Sequence, residues 1–126
     1  MRVPEAALVP QPDGCLAELE ALASFDLVLD AAGVVTGVRL RGPLAGVEVR
    51  HRGRSALHEV MDCRLALALA RWAPALREEG VAGLEHLSIY RPGAVVARSR
   101  RTSGHAKGLA IDPGRWCSRT ARRSTC

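Results

Sequence analysis

Between Ala56 and Glu79, apolar residues recur at three- and four-residue steps: Leu57, Val60, Met61, Leu65, Ala68, Trp72 and Leu76. That spacing places them on one face of a helix, and Leu67 and Leu69 widen the stripe. A chain of 126 residues has room for one domain built around such a core helix. Ser55 reads as its N-cap, Pro74 as a bend and Gly80 as its end.

The segments on either side follow a different period. Cys15 to Phe25 carries Leu16, Leu19, Leu22 and Ala23 at helical steps, predicting a short amphipathic helix. From Leu27 to Arg52, short Val- and Leu-rich runs are punctuated by Gly33, Gly37, Gly42 and Gly46. In two of these runs Arg39, Arg41, Glu48 and Arg50 alternate with apolar residues, as half-buried antiparallel strands require. Leu84, Leu87, Ile89 and Tyr90 predict a strand stopped by Pro92, and a basic loop then leads to a short apolar run at Leu109–Ile111. The order predicts an α+β fold, a small antiparallel sheet packed on a long core helix. Residues 1–14 read as an extended lead-in, 15–112 as the domain and 113–126 as a basic tail.

Charge is unevenly spread. Residues 1–90 hold nine Arg against twelve acids, whereas 91–126 hold eight Arg and Lys107 against Asp112 alone. A basic last quarter invites a nucleic-acid reading. Phe25, Trp72, Tyr90 and Trp116 are too few and too scattered to form a base-stacking platform, so no nucleic-acid partner is expected. Nor is a membrane span expected, since no apolar run approaches eighteen residues. The first ten residues are interrupted by Glu5 and Pro10 and do not read as a secretory signal. Nothing in the sequence indicates an oligomeric state. Cys15, Cys63, Cys117 and Cys126 match no compact zinc pattern; they are compatible with free buried thiols or with disulfides in any of three pairings.

Chemistry concentrates in Ser103-Gly-His105-Ala-Lys-Gly108-Leu-Ala-Ile-Asp112. An imidazole and a carboxylate seven residues apart converge if Gly108 makes a turn and Asp112 ends the next strand. Zinc takes both ligand types. The plain alternative is a loop histidine and a strand-end aspartate without a shared role.

The whole string resembles the Ser-x-His-x-x-Gly-x-Ala-x-Asp signature of D-alanyl-D-alanine carboxypeptidase and lysostaphin-type zinc peptidases. With Met61-Asp-Cys63-Arg-Leu-Ala-Leu-Ala-Leu-Ala-Arg-Trp72 and Ser88-Ile-Tyr90-Arg91-Pro92, residues 15–112 look more specifically like the bacterial extensin-like C-terminal domain. The resemblance implies a zinc DD-peptidase-like fold, a periplasmic or cell-envelope setting, and cell-wall peptide or another envelope polymer as partner. It makes His105 and Asp112 zinc ligands, Arg91 a catalytic cation gripping a substrate carbonyl or carboxylate, and Ser103 and Gly108 supports. It also implies a Cys15–Cys63 disulfide.

A catalytic zinc site needs a third protein ligand and a general base. In the related peptidases these lie downstream of the aspartate, but residues 113–126 contain no His, Asp or Glu. His51, His58 and His86 are the upstream substitutes, with His58 expected on a helix face and His86 on a strand edge. Activity is therefore expected to be weak or absent, and the domain incomplete at its C-terminus. The tail shows no apolar periodicity. With suitable third codon bases, a reading-frame slip near Arg115 can turn it into Leu-Val-Leu-Ala-Asp-Gly-Thr-Ala-Val-Asp-Val, two strands about an Asp-Gly turn. Two other functions compete. One is a non-catalytic envelope-polymer-binding module using Arg91, Arg98, Arg100, Arg101 and Lys107; the other is a truncated product with a bare sheet edge and no independent function.

Overall fold

The computed structural model describes residues 14–120 and 123–126. Apart from Gly14, the expected lead-in lies outside the described residues. The fold is α+β. Helix α1 (Cys15–Glu20) precedes β1 (Phe25–Val28), β2 (Gly37–Leu40) and β3 (Glu48–His51). A 3-10 turn at Leu57–Glu59 leads into β4 (Met61–Asp62) and helix α2 (Cys63–Glu78). Strand β5 (Val81–Ser88), a second 3-10 turn (Gly104–Lys107), β6 (Asp112–Thr120) and β7 (Arg123–Thr125) complete the order.

The strands form two sheets where one was expected. An antiparallel sheet has the order β1-β2-β4, and a second has the order β3-β5-β6-β7. The second sheet is mixed: β3 runs parallel to β5, with Val49 opposite Leu84, while β6 is antiparallel to both β5 and β7.

Helix α2 is shorter than the apolar stripe suggests, and Ser55 does not cap it. Val60 and Met61 are buried, but Val60 is extended and Met61 pairs with Val38 in β4. The cap is Asp62, whose backbone is extended and whose Oδ1 accepts the Arg64 backbone N–H at 2.9 Å. The same oxygen accepts from Arg64 Nε at 2.9 Å, so this almost fully buried carboxylate is paired as well as capping. Pro74 lies inside the helix, which continues past it to Glu78.

Leu67, Ala66, Cys63 and Ala73 on α2 pack with Leu19 of α1 and with Val38, Leu44 and Val47. A Cys15–Cys63 disulfide ties α1 to the start of α2, with the Cα atoms 6.2 Å apart. Glu18 and Arg71 add an exposed ion pair at 2.9 Å. The pairing matters for α1 because six residues are too few to hold a helix by themselves.

The tail also differs from expectation. Strand β6 crosses the expected boundary at 112/113 and pairs along the flank of β5 that the truncated-product reading leaves bare, with β7 beyond it. The reason is lateral contact and not periodicity. Arg115 Nε donates to Glu85 Oε1 at 2.7 Å, and Trp116 meets Trp72 edge-on at 5.8 Å. Cys117 is buried and disulfide-bonded to Cys126. The apolar run Leu109–Ile111, expected as a strand, is irregular and delivers Asp112 to the start of β6.

Candidate metal centre

The site is assembled by the end of β5 and the start of β6. Ser88 and Asp112 are opposite each other in the register, which puts the aspartate at the sheet's end. Beyond Ser88 the chain turns out through Ile89, Tyr90 and Arg91, while the 3-10 turn at Gly104–Lys107 folds back against it. Arg91 N–H donates to the His105 carbonyl at 2.9 Å, stitching the two segments together.

Local chemistry fixes the turn. Ser103 is extended, and its hydroxyl accepts the His105 N–H at 3.2 Å, capping the 3-10 turn. Gly108 closes it with φ 67°, and its carbonyl accepts Asp62 N–H at 2.8 Å. A Cβ on Gly108 would stand 2.8 Å from the Asp62 nitrogen and 3.2 Å from the Met61 carbonyl carbon. Both the sign of φ and the close backbone approach therefore call for glycine here.

His105 is buried, and Nδ1 lies 2.7 Å from the Ile89 carbonyl oxygen. That oxygen only accepts, so Nδ1 carries the hydrogen and donates it. The other ring nitrogen, Nε2, faces Asp112 Oδ1 at 3.2 Å. Asp112 Oδ2 accepts from Ser88 Oγ at 3.2 Å, so both oxygens of the carboxylate are directed. About half of the Asp112 side chain is open to solvent, against a tenth of His105. A buried imidazole thus presents one nitrogen to a carboxylate that solvent or a ligand can reach.

His105, Asp112, Ser103 and Gly108 are brought together by these contacts, and Arg91 joins them through its backbone. The Arg91 side chain is exposed, with no hydrogen-bond or ion-pair partner among the described residues. The upstream histidines gather elsewhere. His51 stacks on His58 at 4.8 Å and meets His86 at 5.6 Å. His51 is already occupied: Nε2 is 2.7 Å from the Leu87 carbonyl, and Nδ1 accepts the Ser55 N–H at 3.0 Å. His86, expected at a strand edge, is fully buried within β5. His58 sits on the short 3-10 turn and not on the core helix. Among the described residues, no group of three His, Cys, Asp or Glu side chains converges to hold a metal ion.

Two contributors escaped the sequence reading. Ser88 directs the carboxylate, and the Ile89 carbonyl sets the imidazole tautomer. The signal for Ser88 was its position just before Tyr90-Arg91, but only the β5–β6 register brings it to Asp112. A backbone carbonyl leaves no mark in the sequence.

No protein-family model, curated protein or solved structure matches the chain. No helix among the described residues is long and apolar enough to cross a membrane.

Proposed function

We propose that His105 and Asp112 are the protein's half of a divalent-metal site. The domain is read as extensin-like and related to zinc D-alanyl-D-alanine carboxypeptidases, directed at cell-wall peptide and impaired as a hydrolase. One observation carries the metal reading. With its Nδ1 hydrogen given to Ile89, His105 turns Nε2 toward Asp112 Oδ1 at 3.2 Å. Two electron-rich atoms that close require a proton or a cation between them. Zinc, with bonds of roughly 2.0–2.2 Å to nitrogen and oxygen, fits such a donor pair.

The protein's own groups do the orienting. The Ile89 carbonyl holds the tautomer, and the Ser88 hydroxyl holds the distal carboxylate oxygen, the supporting contacts that metal ligands require. Arg91, exposed and stitched to His105, is assigned to hold a substrate carbonyl or carboxylate. When bound, zinc would polarise a carbonyl and acidify water. No further carboxylate or imidazole joins the pair among the described residues, so those residues supply no base at this point to take a proton from that water.

Calorimetric titration of the protein with zinc is expected to show one saturable site, weakened about 100-fold or more by Asp112→Ala. Uptake undiminished in Asp112→Ala would refute the ligand assignment. Hydrolysis of a peptide ending in D-alanyl-D-alanine is expected to stay at background, and measurable turnover would refute the impaired site.

A further inference from the structure

Most of the structured arginines are tied down. Arg41 pairs with Asp26, Arg50 and Arg115 with Glu85, and Arg64 with Asp62. Arg39 and Arg119 donate to the carbonyls of Ala56 and Gly46. These side chains hold the fold together.

Arg52 and Arg54 lack such a partner among the described residues, and one longer region departs from the pattern throughout. Residues 91–111 hold Arg91, Arg98, Arg100, Arg101 and Lys107 and no acid. None of these five side chains has a hydrogen-bond or ion-pair partner among the described residues. Three of them stand on one hairpin. Val95 bridges Thr102, Val96 N–H donates to the Arg101 carbonyl at 2.8 Å, and Ser103 N–H donates to the Ala94 carbonyl at 2.9 Å. Arg100 N–H closes the tip on the Val96 carbonyl at 2.8 Å. Every residue from 95 to 102 is exposed, so the hairpin projects from the domain. It also exposes adjacent apolar side chains, Val95 at 48% and Val96 at 49%.

We infer that this hairpin docks the domain on an anionic lipid surface. The three arginines supply attraction to lipid phosphates, and the two valines supply a small apolar wedge for the headgroup boundary. The valines separate this partner from a soluble polyanion, which offers them nothing to enter. A projecting element with all its side chains outward also meets a flat surface more fully than it grips a single flexible strand. The hairpin's base is bonded to the site, since Ser103 and Arg91 both contact His105, so docking would hold the His105–Asp112 pair close to the lipid surface.

The test is flotation of the intact protein with vesicles of phosphatidylcholine alone or with about 30% phosphatidylglycerol. Binding is expected only to the anionic vesicles and is expected to be lost at high salt. The triple change Arg98→Gln, Arg100→Gln, Arg101→Gln is expected to weaken it about 100-fold. Val95→Ser with Val96→Ser, which leaves the charge unchanged, is expected to weaken it about 5-fold. All five positions lie outside the core, and an unchanged thermal transition verifies that each variant folds. Wild-type-like vesicle binding by the arginine variant overturns the inference. So does binding to soluble polyphosphate that matches vesicle binding and is indifferent to the valine changes. Asp112→Ala is expected to bind vesicles normally, which separates this result from the metal reading.

Discussion

Replacing Gly108 with alanine is expected to destabilise the domain by about 3 kcal/mol and to abolish zinc uptake. Two costs combine. The φ of 67° costs any residue with a Cβ about 1 kcal/mol. The new methyl would also press on backbone, at 2.8 Å from the Asp62 nitrogen, where no flexible side chain can yield. Relief requires breaking the bond from Asp62 N–H to the Gly108 carbonyl. Asp62 caps α2, so the disturbance reaches the core helix and the His105 turn together. Gly93→Ala provides the control. Its φ is 71°, but a Cβ there meets nothing within 4 Å, so only the conformational cost of about 1 kcal/mol remains. Urea midpoints of the two variants measure the difference, and equal losses would contradict the close-approach account.

Acidification from pH 6.5 to 4 is expected to remove about 3 kcal/mol of stability through His86. Its ring is fully buried, and neither nitrogen has a hydrogen-bond partner among the described residues. Burial, with the neighbouring His51 and His58 adding to it, lowers its pKa from the ordinary 6.5 to about 4. The unfolded chain therefore binds this proton near pH 6.5, whereas the folded chain resists it until about pH 4. The contribution is intact above 6.5, falls as the pH drops through that window, and changes no further below 4. His86→Leu, similar in bulk and without a titrating group, is expected to flatten most of the slope in urea midpoints measured between pH 7.5 and 4. An unchanged slope would place the acid sensitivity elsewhere.

The α+β order was legible because it rests on local spacing; His105 does meet Asp112, but through the start of β6 and the β5–β6 register and not through a strand ending at Asp112. The helical period of α2 was legible but its most buried face was not. Ala66, Ala70 and Ala73 share the buried side, whereas Leu65, Ala68 and Trp72 of the apolar stripe are half-buried and only Leu76 of that stripe within α2 is buried. The start of that helix was not legible. Val60 and Met61 satisfy the helical spacing equally well, yet pairing with β2 and the Asp62 cap make them extended. Strand β6 was hidden for a related reason. Along Asp112–Arg119 only Cys117 is buried, so no apolar alternation marks it. Its anchors, Glu85 and Trp72, are supplied by residues 30 or more positions away. The histidine cluster depends on the parallel register that sets His51 beside His86, and no local pattern announces a parallel pair.

The central claim is that His105 Nε2 and Asp112 Oδ1 share one cation. Long-range nitrogen–proton NMR of the histidine rings, recorded during zinc addition, observes those atoms directly. Zinc is expected to shift His105 Nε2 while Nδ1 keeps its proton to Ile89, and to leave His51, His58 and His86 unmoved. The same titration of Asp112→Ala is expected to shift none of them at equal zinc. A zinc-induced shift centred on His51, His58 or His86, or an unmoved His105, would contradict the account.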